Sequence, residues 1–185
     1  MKHDSAIYDA FAGLLTYPEV DYPQRIEASL RLAPTECRED LKQFSKLVRE
    51  LATDQVQELF TRTFDLNPVC SLELGWHLFG ENYERGLLLV RMREELRRYR
   101  LGESTELPDH LTHVLRLVAQ MEHERTSDFV GACVLPALKK MLQAMRGKDN
   151  PFEYVLVAAQ NLLHRDFPEL PLVPAEGEPL LKVLA

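Results

Sequence analysis

Apolar residues recur every three to four positions along almost the whole of this chain, and nowhere do apolar and polar residues alternate for the length of a strand. That periodicity leaves helices as the elements available for burying a core. It is plainest in Cys37, Leu41, Phe44, Val48 and Leu51, which share one face from about Thr35 to Ala52. Arg38, Glu39, Lys42, Lys46, Arg49 and Glu50 take the other face.

The remaining segments read the same way. Ile7, Phe11, Leu14 and Leu15 make a first helix closed by Pro18, and Pro23 suits the first turn of a second carrying Ile26 and Leu30. Asp54 with Gln57 reads as a capping box for a fourth, through Val56, Leu59, Phe60 and Phe64. After a break at Asp65–Pro68, Ser71 or a neighbour can cap a short helix that ends at Gly80. The next carries Tyr83, Leu87, Val90 and Leu96 inward, with Arg91, Arg93, Glu94, Glu95, Arg97 and Arg98 in solvent, and stops at Gly102. Leu111, Val114, Leu115, Val118 and Met121 form a seventh, preceded by Pro108. An eighth opens at Thr126 or Ser127, is bent or split by Pro136 and ends at Gly147. Asn150-Pro151 starts the ninth. The expected fold is all-α, a single-domain bundle of about nine helices over residues 1–167, with an irregular or mobile tail over 168–185.

Charge narrows the function. Twenty-two basic and 29 acidic residues give a net charge of −7, which argues against nucleic acid as a partner and is compatible with a basic peptide. Cys37, Cys70 and Cys133 are far apart and odd in number, so they read as buried thiols in a reducing cytosol. No apolar run approaches the roughly 18 residues of a membrane span, and the N-terminus lacks the pattern of a signal peptide. A soluble cytoplasmic protein without direct membrane insertion is expected.

Motifs for catalysis are missing. There is no phosphate-binding loop, G-x-S-x-G elbow or H-E-x-x-H, and the pair His110 and His113 lacks the further ligands that a metal site needs. No cofactor and no metal are expected, nor any enzymatic activity. A helical hydrolase built on Asp109 and His110 remains an alternative, as does a structural adaptor.

Binding is better supported. Residues Leu59 to Arg98 crowd Phe60, Phe64, Trp76, Phe79 and Tyr83 among Asp65, Glu73, His77, Glu81, Glu84 and Arg85, in a chain that is only 8% aromatic. Such a seam suits an amphipathic partner segment, although on composition alone it marks, first of all, where two helices cross.

Within this stretch Phe64-Asp65, Ser71-Leu72, His77, Gly80 and Arg85-Gly86 resemble the pattern of NarJ-type assembly chaperones of respiratory nitrate reductase. Glu106-Leu107-Pro108-Asp109-His110-Leu111 resembles the later E-L-P-D-[HY]-L turn of those proteins and the E-x-x-D-H signature of the TorD/DmsD/NarJ superfamily. The likeness covers roughly residues 5 to 168. It implies a TorD-like helical chaperone that binds the N-terminal peptide of a molybdoenzyme apo catalytic subunit, first of all the nitrate reductase alpha subunit, and assists molybdenum cofactor insertion. A related enzyme is the alternative partner: a sulfoxide, amine-oxide or selenate reductase, or a hydrocarbon dehydrogenase.

On this reading Phe64, Trp76, Phe79 and Tyr83 supply apolar contact area. Asp65 and Asp109 pair with partner arginines or with Arg85, and Pro108 turns Asp109 and His110 towards the seam beside Glu106. Capping remains open for Asp65, Ser71 and Asp109, all placed where helix N-caps are expected. His77 could be a satisfied core histidine.

Overall fold

The computed structural model describes residues 4–102 and 104–170. Nine helices follow in chain order: α1 (Ser5–Leu14), α2 (Tyr22–Leu32), α3 (Thr35–Val48), α4 (53–65), α5 (Leu74–Phe79), α6 (Tyr83–Arg98), α7 (Leu111–Gln120), α8 (123–145) and α9 (Phe152–Asp166). A 3-10 turn at Pro68–Cys70 links α4 to α5, and no strand forms among the described residues. Of the expected tail, 171–185 lies outside the described residues.

Side chains near the starts explain several helices. Asp4 accepts the Ala6 N–H at 3.1 Å, and Asn150 Oδ1 accepts the Phe152 N–H at 3.0 Å, as the Asn150-Pro151 pair suggests. Other starts differ from expectation. Gln55, not Gln57, reaches back to the first turn of α4 and accepts the Ala52 N–H at 2.9 Å, while Gln57 donates to Pro18 O. The eighth helix begins at His123, ahead of Thr126, whose hydroxyl donates to Glu122 O. Helix α6 stops at Arg98 rather than Gly102, and Arg100 takes a left-handed φ of 55° just beyond it.

Two helices contain wide turns. In α4 an α-helix over Thr53–Phe60 gives way to a π-helix over Thr61–Asp65. In α8 a π-helix over Val130–Val134 separates His123–Phe129 from Leu135–Met145. Pro136 has no N–H, and in a regular α-turn its ring would crowd the Ala132 carbonyl. The wider turn just before it relieves that crowding, so the expected disturbance takes the form of a π-bulge.

α1 packs against α2 and α7, α3 against α9, and α5 against both α6 and the second half of α8. A chain of ring contacts crosses the interior. Tyr22 meets Phe44 at 6.4 Å, Phe44 meets Phe152 at 5.4 Å, and Phe152 meets Phe60 and Phe64 at 5.5 and 5.1 Å. Phe60 then meets Tyr17 at 5.8 Å, edge to face. Burial pushes the Cys37 and Cys133 thiols up to about 12, which keeps both protonated and unreactive.

The phase of α6 corrects the sequence reading. Leu88, Met92, Glu95 and Leu96 face the core, whereas Tyr83 is 79% exposed, Val90 54% and Leu87 37%. Glu95, expected in solvent, is 3% exposed. Its carboxylate lies 3.1 Å from both Arg98 and Arg125, and this ion pairing makes its burial tolerable.

Candidate functional site

The two sequence motifs meet. Leu74 N–H donates to Asp109 O at 3.1 Å and Leu111 N–H to Leu72 O at 2.8 Å, forming an isolated antiparallel bridge between Glu73 and His110. Asp109 completes the junction: its Oδ2 accepts the Gly75 N–H at 2.7 Å, so it caps the start of α5 from 34 residues away. Gly75 permits this approach. A Cβ there would lie 2.8 Å from Asp109 Oδ2 and 3.0 Å from Arg85 Cγ.

Beside this junction opens a groove of about 570 Å³. Its walls are Leu15, Thr16 and Tyr17 after α1; Phe60, Phe64 and Asp65 of α4; Pro68 and Ser71–Glu73; Trp76 of α5; Arg85 of α6; Ser104–Glu106; and His110, Thr112 and Arg116 around the start of α7. Phe60 and Phe64, 5.0 Å apart, connect its apolar side to the core. Asp65, Glu73 and Glu106 set three carboxylates against two cations, Arg85 and Arg116. Arg116 is paired with Asp9 at 3.4 Å, and the Arg85 guanidinium sits 5.5 Å from the centre of the Trp76 ring.

Burial shapes the titration of the wall. It raises the Glu73 carboxyl, whose neighbour Ser71 donates its hydroxyl to it. Desolvation also raises Asp109, against the opposing pull of the Gly75 N–H and Arg85. Asp109 Oδ1 and Arg85 Nε are both buried with no hydrogen-bond partner.

His110 and His77 are neutral scaffolding. Burial, helped by His113 and Arg116, lowers His110 to about 4. Its Nδ1 accepts from the Thr112 hydroxyl at 2.8 Å, and Nε2 stands 4.0 Å from Glu106, too far for a hydrogen bond. His77, also lowered by burial, donates Nε2–H to Ser71 O at 2.6 Å. His113 donates Nδ1–H to Leu107 O at 3.0 Å and accepts at Nε2 from Ser104, fastening the 104–107 loop to α7.

Of the residues singled out from the sequence, Phe64, Asp65, Trp76, Arg85, Glu106 and His110 line the groove. Asp109 lies behind its wall and is wholly buried, His77 is buried against Ser71, and Phe79 packs on the core. Tyr83 points away from the groove. Two positions separate it from Arg85, about 200° around the helix at 100° per residue. The sequence reading missed the polar wall from Thr16, Ser104, Thr105, Thr112 and Arg116, residues with no periodic signal of their own. Asp109 and His110 engage different groups, Gly75 and Thr112, and do not form the acid–base pair that a hydrolase would need.

A model of the nitrate reductase delta subunit family matches residues 31–152, which spans most of the groove's walls and well over half of the chain. The chain belongs to that family. It is a family of redox enzyme maturation chaperones, not of enzymes. The fold is similar to a crystal structure assigned as a redox enzyme maturation protein from Archaeoglobus fulgidus. That protein is 22% identical, with a TM-score of 0.58 over 91% of this chain and 96% of the other. No curated protein sequence matches the chain. The family implies binding of a molybdoenzyme subunit. Among the described residues, no helix is long and apolar enough to cross a membrane, and no cluster of three or more His, Cys, Asp or Glu is placed to hold a metal ion.

Proposed function

We propose that the groove receives the N-terminal segment of a molybdoenzyme catalytic subunit, the nitrate reductase alpha subunit first of all. The chaperone would hold the apo subunit in the cytoplasm while the molybdenum cofactor is inserted. One observation carries this reading: aromatic rings Phe60, Phe64 and Trp76 share a groove with the carboxylates of Asp65, Glu73 and Glu106. Rings accept the apolar face of an amphipathic helix, and carboxylates attract its basic residues.

Calorimetry with a peptide of the alpha-subunit N-terminus tests it. Peptides from sulfoxide-, amine-oxide- and selenate-reductase subunits serve as comparators. Trp76→Ala is expected to weaken binding ten-fold or more, since a ring at the centre of such a site carries much of the affinity. Tyr83→Ala, on the opposite side of α6, should bind as wild type. Asp65→Asn and Glu106→Gln should flatten the salt dependence of binding. Tight binding of every comparator would overturn the preference for the alpha subunit, and no loss with Trp76→Ala would remove the groove from recognition.

A further inference from the structure

Helix α6 carries two apolar stripes at helical spacing. Leu88, Met92 and Leu96 are buried, while Tyr83, Leu87 and Val90, at i, i+4 and i+7, stand on the outward face. Between them Gly86 is bare: beyond its own helix backbone and its two chain neighbours, nothing lies within 4 Å of where its Cβ would be. Charged residues flank the stripe unevenly. Glu81 just before the helix and Glu84 in its first turn are exposed, and the later turns expose Arg91, Arg93, Arg97 and Arg98 against a single acid, Glu94.

That asymmetry is self-complementary. Glu84 and Arg91 are seven residues apart, on the same edge of the stripe and equidistant from a point beside Leu87. If two α6 helices cross antiparallel about a two-fold axis there, each Glu84 faces the partner's Arg91. Tyr83 then lies across the partner's Val90, and Gly86 lets the helices approach closely. Among the described residues Arg91 pairs with Glu94 at 3.3 Å, a pair more than two-fifths exposed on each side and open to sharing.

We infer that α6 is a self-association surface, pairing with a second copy of this chain through Tyr83, Leu87 and Val90 and the reciprocal Glu84–Arg91 contacts. The stripe is much smaller than the roughly 800 Å² per partner of a standard interface, so the dimer is weak and forms reversibly with concentration. Because Arg85 lines the groove from the other side of α6, pairing leaves the groove open.

Sedimentation velocity from low micromolar to about 1 mM reads the association. Wild type should shift towards dimer as concentration rises. Leu87→Glu should stay monomeric with an unchanged circular dichroism spectrum, since the side chain is on the surface. Glu84→Arg and Arg91→Glu should each weaken association at least ten-fold. The double variant should restore it, and so should an equimolar mixture of the two single variants, because the mixed pair regains an opposite charge at both contacts. A wild type that remains monomeric throughout overturns the inference. So does association that survives Leu87→Glu, or charge reversals that neither pairing rescues. Should wild type be monomeric while Leu87→Glu weakens capture of the folded catalytic subunit, the face belongs to the enzyme and self-association is rejected.

Discussion

Asp109→Ala is expected to lower stability by roughly 3 kcal/mol, the scale for stranding a buried donor and an adjacent charge. For a chain of this size that is a fall in melting temperature of about 6–12 °C. The substitution leaves the Gly75 N–H without an acceptor, removes the carboxylate facing Arg85 and opens a hole between α5 and α7. Asp109→Asn should lose far less. It keeps an acceptor for Gly75, and losing the charge is partly offset because burial already disfavours that charge. Gly75→Ala should also destabilise, since its Cβ would meet Asp109 Oδ2 at 2.8 Å, and it should do so much less in the Asp109→Ala background. Denaturant melts of the two single variants and the double variant give the cycle. An Asp109→Ala protein melting within about 2 °C of wild type would show that the junction contributes little.

Acid should destabilise the fold well above the range where ordinary carboxylates titrate. His110 falls from an ordinary 6.5 to about 4 because the buried ring resists a positive charge. Between those values the unfolded chain binds a proton that the folded chain refuses, so stability drops as pH falls through 6.5. The loss is complete near pH 4 and amounts to about 3 kcal/mol. His77, lowered by the same cause, acts in the same direction. Asp109 and Glu73 act oppositely: their raised carboxyls add stability as pH falls through their folded values. His110→Asn, whose amide oxygen can replace Nδ1 as the acceptor from Thr112, isolates the first effect. Melting temperatures between pH 7 and 4 should fall less steeply in this variant. Parallel profiles would place the acid sensitivity elsewhere.

Local patterns and long-range contacts were not equally legible. Nine helices could be read because each carries its own apolar period, and Asn150-Pro151 and Gly147 act on neighbours within a turn. The phase of α6 could not be read locally: Tyr83-Leu87-Val90 and Leu88-Met92-Leu96 are equally good stripes. What decides between them is distant, since Arg125 on α8 makes a buried place for Glu95. Asp109 posed the same difficulty. A local rule assigns it to the helix that follows it, yet the amide it caps belongs to α5. Phe64, Asp65, Trp76, Arg85, Glu106 and His110 line the groove because aromatic and charged groups seldom mix without reason. Thr16, Ser104 and Thr112 look like any polar turn until three segments converge.

Trp76 is the chain's one tryptophan, and it stands in the groove wall beneath the Arg85 guanidinium. Intrinsic emission excited at the indole band therefore arises from a single, half-buried reporter at the place where a bound segment would lie. A ligand entering the groove must dry that indole or displace the arginine, and either event changes the colour or yield of its light. Ligands that bind on the outward side of α6 leave that emission unchanged. The protein thus carries an optical gauge of groove occupancy that needs no label.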